Sequence, residues 1–239
     1  MTERIEALVF DVFGTVVDWR SGIVRALTPF LASHGVTCEP AVFADAWRAL
    51  YSPAMDEVRS GRRQFVTLDV LHRENLVKLL DQIGVDASSF EATVLDKLNL
   101  AWHALDPWPD VVEGLSSMKE RFIIAPLSNG NIRLMLDIAK RNNLPWDAIL
   151  GAEIAQTYKP DPRAYLRTAD TLMLRPEQIC LVAAHNDDLS AAQACGFRTA
   201  FVPRASEYGP HQTRDLSPTR EWDFVANDFI DLSMKLHGG

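Results

Sequence analysis

The 239-residue sequence contains only three cysteines, Cys38, Cys180 and Cys195, and they lie far apart. An odd number of cysteines without a CxxC or Cys/His spacing predicts neither a disulfide framework nor a zinc site. Cys180 lies in an apolar run and Cys195 precedes Gly196, positions typical of small buried residues. We therefore expect a protein of a reducing compartment, the cytoplasm.

The sequence also lacks a long hydrophobic run and an excess of positive charge. No apolar stretch approaches the ~20 residues that span a bilayer, and Glu3, Arg4 and Glu6 do not fit a secretory signal. Acidic residues outnumber Lys and Arg by 32 to 24, a formal net charge of -8. Because polyanions would be repelled, we expect no nucleic acid and no membrane as main partner. A small anionic substrate would need local positive charge.

The composition does supply enough apolar material for a folded core. Hydrophobic residues make up 47% of the chain and charged residues 23%, as is usual for a globular protein. A chain of this length can form one large domain, or a core with a smaller insertion.

The stretch from residue 7 to 19, ALVFDVFGTVVDW, holds the first candidate site residue. Its apolar start, residues 7–10, predicts a buried strand that ends at Asp11, and the turn-forming Gly14 and Thr15 follow. In parallel α/β sheets ligands bind at the carboxyl ends of the strands. This stretch alone leaves open that Asp11 only caps the following turn.

Apolar periodicity divides the rest of the chain into two kinds of structure. From residue 19 to 108 the spacing is helical, with predicted helices at 68–83 and 90–105, which indicates an all-helical insertion. From residue 109 onward strands and helices alternate, which predicts a Rossmann-like parallel sheet. The predicted strands are 121–127, 148–153, 179–183, 199–202 and 224–225, and the polar stretch 206–220 predicts a surface loop.

Four short stretches occur in an order typical of one superfamily: DVFGT from Asp11, LSN from 127, YKP from 158, and LVAAHNDD from 181. Together they resemble the motifs of the haloacid dehalogenase superfamily, most closely the 2-haloacid dehalogenases of the L-2-haloacid type. The resemblance implies a core domain of residues 1–18 and 109–239, a helical cap of residues 19–108, and Asp11 as nucleophile. Because cap surfaces in this family often form dimers, a homodimer is an open expectation.

Two positions depart from the pattern of the phosphatases in this superfamily. These enzymes carry a second Asp two residues after the nucleophile, where this chain has Phe13, and a GDSxxxD motif, where it has Val182, Ala183 and Ala184 before Asp188. Phe13 cannot transfer a proton, and a positioned acid or base is worth roughly 10² to 10⁴ in rate. Because Mg²⁺ needs several oxygen ligands, we expect no catalytic metal and no cofactor.

A carboxylate without a metal or a proton donor suits attack on a saturated carbon that bears an anionic leaving group. Halide leaves without being protonated. We therefore expect Asp11 to displace halide from Cα of a small 2-haloalkanoic acid, and water to hydrolyse the resulting ester to the 2-hydroxy acid. Three alternatives remain open: another metal-independent carbon-centred hydrolase, a phosphatase, and a non-catalytic binding protein.

The resemblance assigns catalytic roles to four further residues. Lys159 would keep Asp11 ionised, and Asp188 would partner Lys159 and the hydrolytic water. Thr15 would bond Asp11 or the loop around it. His185 departs from the typical family sequence; it would orient or activate the water, since its pKa is closest to neutrality, or only bond a loop.

The resemblance also assigns residues to substrate binding. Ser128 would bind the substrate carboxylate and Asn129 would face the halide. Arg48, part of a Trp-Arg pair in the cap, would be the halide-side cation, with a solvated helix arginine as the alternative. Phe65 would complete the halide pocket. The remaining substrate-binding candidates are Phe13, Tyr165 and Asn186.

Overall fold

The computed structural model describes residues 4–238, and within this range a five-stranded parallel sheet has the order β2-β1-β3-β4-β5. The strands are β1 (Ala7–Phe10), β2 (Ile123–Pro126), β3 (Ile179–Ala183), β4 (Arg198–Phe201) and β5 (Phe224–Val225). All neighbours pair in parallel. The predicted α/β class with a Rossmann-like parallel sheet is confirmed.

The central strands β1 and β3 are buried along their whole length. Such continuous apolar runs are expected where helices cover both faces of a sheet. Phe10, at the end of β1, is in register with Pro126 of β2 and Val182 of β3. The residues that follow these three strands therefore meet at one edge of the sheet.

The chain between β1 and β2 is helical. It forms α1 (Trp19–Ser33), α2 (Pro40–Ala49), α3 (Tyr51–Arg59), α4 (Leu68–Gln82) and α5 (Ala92–Asn99), with short 3-10 helices at Ala87–Ser89 and Leu100–Ala104. The single helix predicted for 90–105 is wrong, because it continues past α5 as a 3-10 helix. Over five residues the 3.0 and 3.6 periods are too similar to distinguish from the sequence. The bounds of the cap, 19–108, remain a prediction.

The later helices alternate with the strands and cover the sheet. They are α6 (Val111–Lys119), α7 (Ile132–Asn142), α8 (Pro162–Leu172), α9 (Asn186–Ala194) and α10 (Phe229–His237), with 3-10 helices at Ala152–Ile154 and Pro176–Gln178. Within residues 4–238 no helix combines the length and the apolarity that crossing a bilayer requires.

The strand predicted for residues 148–153 is wrong. Only Leu150 forms a bridge there, with Leu127. The chain then turns so that the Glu153 carboxylate accepts the backbone N–H of Ile132, at 2.9 Å from each oxygen, and caps the first turn of α7. Apolar residues in this segment thus pack beside β2 without extending the sheet.

The segment 206–220 contains no helix or strand, but it is not wholly a surface loop as predicted. The side chain of Glu207 is 1% exposed and accepts a hydrogen bond from Trp19 Nε1 at 2.9 Å. The ring of Tyr208 packs edge-on against Trp19, with the centroids 5.9 Å apart. The start of this segment therefore belongs to the interior, and we call residues 206–220 the inner loop.

A buried histidine links the helical insertion to α7. His103 Nε2 lies 3.0 Å from Asp69 Oδ1 in α4, and its Nδ1 lies 2.9 Å from Asp137 Oδ2 in α7. Burial lowers the pKa of His103, but hydrogen bonds and charges from the two carboxylates outweigh it and raise this pKa above the ordinary value. The charged imidazolium can donate to both carboxylates at once.

We expect His103→Gln to destabilise the protein in a pH-dependent manner. Because the folded-state pKa is raised, the contribution is complete below the unfolded pKa of about 6.5 and is lost as the pH rises through the folded pKa. Urea unfolding should give a loss of about 2 kcal/mol near pH 6 and a smaller loss near pH 9. The exposed His211 provides the control H211Q, for which we expect no change. Equal losses for H103Q at both pH values would contradict this role.

Candidate active site

Asp11 directly follows β1, and both oxygens of its carboxylate are bonded. Lys159 Nζ donates to Oδ1 at 2.9 Å, and Thr15 Oγ1 donates to Oδ2 at 2.7 Å. His185 Nδ1 lies 3.2 Å from Oδ2. Asp11 is 8% exposed. Its carboxylate is therefore fixed by a cation, a hydroxyl and an imidazole at the carboxyl edge of the sheet.

The turn after Asp11 has its shape because of Gly14 and Thr15. Gly14 has a φ of 90°, and a Cβ at this position would lie 2.1 Å from Glu207 Oε1, so only glycine fits. The Thr15 hydroxyl accepts the Ala184 N–H at 2.9 Å while donating to Asp11. Thr15 thus ties the end of β1 to the end of β3 and orients the carboxylate.

The Lys159 side chain lies between two carboxylates, those of Asp11 and Asp188, and donates to both. Its backbone is held as well: the N–H donates to Asn129 Oδ1 at 2.7 Å and the carbonyl accepts Arg59 Nη1 at 2.8 Å. Lys159 is 7% exposed. The ammonium group is therefore buried and positioned from both the sheet edge and the helical insertion.

Neighbouring charges determine the protonation states of Asp11 and Lys159. Burial alone would raise the pKa of Asp11, but the charge of Lys159 and the hydrogen bond of His185 hold it well below its usual range. Burial would lower the pKa of Lys159, but the charges of Asp11 and Asp188 raise it. Asp11 is thus an unprotonated carboxylate and Lys159 an ammonium at neutral pH.

Asp188 lies in the first turn of α9 and has a second donor. Tyr165 Oη, from α8, donates to Asp188 Oδ1 at 2.7 Å. Burial and the charge of Asp188 raise the pKa of Tyr165, so its hydroxyl stays protonated. Tyr165 therefore holds the carboxylate of Asp188 in place beside Lys159.

His185 bridges Asp11 and the inner loop. Its Nε2 lies 2.8 Å from Glu207 Oε2, while its Nδ1 faces Asp11. Burial would lower the pKa of His185, but the charge of Glu207 and the hydrogen bond to Asp11 raise it to about 10. The site is therefore a row of alternating charges, which runs through Glu207, His185, Asp11, Lys159 and Asp188.

A cavity of about 360 Å³ opens onto this row. That volume suits a small-molecule ligand. Its lining combines carboxylates with four cationic side chains and several aromatic rings, and includes Asp11, Phe13, Arg48, Tyr51, Asn129, Lys159, Tyr165, His185, Asp188, Tyr208 and Arg214. Local positive charge of the kind that an anionic substrate needs is therefore present despite the negative total.

Arg48, in α2, lies on the insertion side of the cavity. Its guanidinium carbon is 3.9 Å from the ring centroid of Tyr51 and 5.8 Å from that of Phe13. Its Nη1 is buried and has no hydrogen-bond partner among the described residues. The guanidinium group is therefore partly buried against aromatic rings, and its Nη1 is available for a ligand.

Three predicted binding residues do not line the cavity in the part of the chain that the structure describes. Ser128 Oγ accepts the Gly130 N–H at 3.0 Å in the turn after β2. Asn186 donates to Asp215 Oδ1 at 2.8 Å and accepts from Trp222 Nε1 at 3.1 Å, which anchors the inner loop. The ring of Phe65 packs on Tyr158, with the centroids 5.5 Å apart.

The donor set does not fit Mg²⁺. The ammonium group of Lys159 takes the position between the carboxylates of Asp11 and Asp188. Phe13 and the buried Ala183 supply no oxygen where the phosphatase pattern has carboxylates. A divalent ion binds several oxygen ligands, so an ammonium group and two apolar side chains do not form such a site.

Comparison with known proteins agrees with this geometry. The family model of the haloacid dehalogenase-like hydrolases matches residues 5–196. The chain belongs to this family. A crystal structure of a defluorinating L-2-haloacid dehalogenase is 51% identical, with a TM-score of 0.96, over 99% of this chain and 100% of that one.

Two further relatives match this protein over most of its length and most of their own. The crystal structure of an L-2-haloacid dehalogenase is 42% identical, with a TM-score of 0.93, over 98% of this chain and 100% of that one. (S)-2-haloacid dehalogenase 4A from Burkholderia cepacia is 29% identical, over 95% of this chain and 98% of its own length.

Sequence reasoning missed the part of the site that the inner loop and α3 contribute. Tyr51 and Tyr208 line the cavity, and the guanidinium carbon of Arg214 lies 3.7 Å from the ring centroid of Tyr208. Glu207 bonds His185. The one signal in the sequence was Gly14, three residues after Asp11, since a glycine in a turn can indicate the close approach of another group.

Proposed function

We propose that this chain is a hydrolytic 2-haloacid dehalogenase that converts small 2-haloalkanoic acids to 2-hydroxy acids through an ester on Asp11. The observation that carries the proposal is the pairing of Asp11 with the buried ammonium of Lys159, in a cavity where Phe13 replaces the proton donor of a phosphatase. The names of the relatives, 2-haloacid dehalogenases, support the same substrate class.

In the first half-reaction an Asp11 oxygen attacks Cα of the substrate and the carbon-halogen bond breaks. The low pKa of Asp11 keeps the carboxylate ionised, so its lone pair is available for the attack. Arg48, with a free buried nitrogen, would stabilise the halide as negative charge develops on it. The side chain of Asn129 lines the same cavity, while Ser128 would act through the backbone of its turn.

In the second half-reaction water attacks Cγ of the Asp11 ester, and the hydroxy acid leaves with its Cα–O bond intact. Lys159, hydrogen-bonded to Asp11, would stabilise the tetrahedral oxyanion. His185 and Asp188 lie beside Asp11 and Lys159, on opposite sides of the ester, and His185 can accept a proton from the water once it has lost its own. The names of the relatives support the S enantiomer as substrate. Since only the first step acts on Cα, (S)-2-chloropropionate should give (R)-lactate.

The direct test is halide release from fluoroacetate, chloroacetate, bromoacetate and each enantiomer of 2-chloropropionate. We expect release from chloroacetate, bromoacetate and the S enantiomer, with the same rates in EDTA as with added Mg²⁺. We include fluoroacetate because a relative at 51% identity is described as defluorinating, and we expect slower release from it. Phosphate release from p-nitrophenyl phosphate without halide release from any of these acids would contradict the proposal.

A further inference from the structure

The inner loop brings a third carboxylate to the reaction centre. Glu207 is 1% exposed, and its oxygens accept from Trp19 Nε1 at 2.9 Å and face His185 Nε2 at 2.8 Å. It also fills the space above Gly14, where a Cβ would lie 2.1 Å from Oε1. This carboxylate is fixed from three sides and is directed at the imidazole that faces Asp11.

Alkylation of Asp11 changes the surroundings of His185. In the resting site the imidazole lies between two carboxylates, with Nδ1 toward Asp11 and Nε2 toward Glu207. Once Asp11 carries the substrate carbon it is a neutral ester, and one of the two anions that stabilise the imidazolium is gone. The His185 pKa, about 10 in the resting site, must then fall because an opposite charge beside it is lost.

We propose that Glu207 is the positioning residue of a Glu207–His185 pair that serves as the base for hydrolysis of the Asp11 ester. Glu207 fixes the tautomer with the proton on Nε2, so Nδ1 presents its lone pair beside the ester. This inference rests on the proposed function and assigns its second half-reaction to named residues. It goes beyond the Lys159–Asp188 pair on the other side of the nucleophile.

The proton balance of the cycle closes. When the ester forms and halide leaves, the imidazolium releases one proton to solvent. Water then attacks Cγ of Asp11, its oxygen bonds to the carbon, and Nδ1 of His185 takes the proton. As the ester C–O bond breaks, Nδ1 returns that proton to the departing alkoxide. The new carboxyl group of Asp11 ionises, and its proton restores the imidazolium.

Glu207→Gln removes the negative charge of the side chain and keeps its size. The single amide oxygen can still accept from Nε2 of His185, while the NH2 group replaces the oxygen that faces Trp19 Nε1, so that hydrogen bond and the negative charge are both lost. We expect one equivalent of halide from bromoacetate per active site at a rate close to that of the native protein. Ester hydrolysis should then be slower by roughly 10²- to 10³-fold, so mass spectrometry should find Asp11 alkylated in the steady state. Glu221→Gln, on an exposed loop residue, is the control.

The pH profile of ester hydrolysis distinguishes positioning from packing. In the ester form, His185 has a lower pKa when the negative charge of Glu207 is absent. The rate of ester hydrolysis by E207Q should therefore reach its midpoint at a pH about one unit or more below that of the native protein. Glu207→Asp keeps the charge and should keep the native midpoint. Besides Asp11 and His185, the charged or titratable side chains that line the cavity are the same in both variants: Arg48, Tyr51, Lys159, Tyr165, Asp187, Asp188, Tyr208, Arg214 and Asp215.

A double-mutant cycle completes the test. If Glu207 acts through His185, adding E207Q to a His185→Gln variant should not lower the rate of ester hydrolysis any further. The proposal is overturned if E207Q turns over within about twofold of the native rate without accumulating ester, or if it loses the initial halide equivalent. The proposal is also overturned if E207Q lowers the rate of ester hydrolysis by the same factor in H185Q as in the native protein. A native protein that releases no halide from any acid would refute the proposed function itself.

Discussion

Asp11→Asn is expected to abolish halide release, with a loss on the order of 10⁴-fold or more in the rate of turnover. The amide is nearly isosteric and can still accept from Thr15 Oγ1, which now lies 2.7 Å from Oδ2. It is not ionised, however, and its oxygen is a far weaker nucleophile than a carboxylate whose pKa is held low by Lys159. Turnover of bromoacetate, followed by bromide release, measures the effect.

The control for this substitution is Asp170→Asn. The side chain of Asp170 is 72% exposed on α8, where it lies 3.9 Å from Arg167, so D170N should release halide at the native rate. D11N must also remain folded, which thermal unfolding monitors. A folded D11N variant that retains a tenth or more of the native activity would exclude Asp11 as the nucleophile.

Lys159→Met is expected to lower halide release by about 10³-fold, the effect of removing a preorganised electrostatic group. Methionine fills a similar buried volume. Burial raises the pKa of Asp11 and the charge of Lys159 is the largest opposing influence, so the pKa of Asp11 should be higher in the variant. Residual activity should therefore appear only at higher pH than in the native protein, and a pH–rate profile of halide release measures the shift.

The exposed Lys140 on α7 provides the matched control K140M, for which the rate and the pH profile should not change. The pH–rate profile of K159M should move to higher pH because the pKa of Asp11 rises, and a carboxylate with a higher pKa is ionised only at higher pH. A K159M variant with activity within tenfold of native, or with an unshifted profile, would contradict the role of the ammonium group.

The sequence could predict the residues that directly follow strands. Asp11 comes after β1, and His185 and Asp188 come after β3. Because parallel strands in register bring their carboxyl ends together, the strand pattern could predict that Asp11 and Asp188 lie at one edge, whereas His185 was assigned only from the family resemblance. The same logic predicted the sheet itself, since β1 and β3 are continuous apolar runs that are buried along both faces.

Glu207 could not be predicted, because nothing local to it indicates burial. It lies in a polar segment with two prolines, where composition is typical of a surface loop. Its burial depends on Gly14 and Trp19, which are far away in the sequence, and on Asn186, whose bonds to Asp215 anchor the loop. Such long-range packing leaves no periodic signal in the sequence.

The partners of short polar side chains were also difficult to predict. Ser128 and Asn186 both lie within motifs that follow strands, yet each bonds backbone or loop atoms of the described chain. Ser and Asn side chains readily satisfy nearby backbone groups, so their presence beside a site does not determine that they face it. Arg48 is the opposite case: its guanidinium group lies over the rings of Trp19 and Tyr51, and this contact depends on how α2 packs, which the local sequence does not indicate.

The central claim is that Asp11 forms a covalent bond to the substrate carbon and that water attacks the side chain, not the substrate. A single turnover in ¹⁸O-labelled water, with enzyme in excess over bromoacetate, tests it most directly. We expect the first label in the Asp11 carboxylate, found by mass spectrometry of the peptide that contains it, and unlabelled glycolate as product. Label in the glycolate of the first turnover, with none in Asp11, would contradict the account.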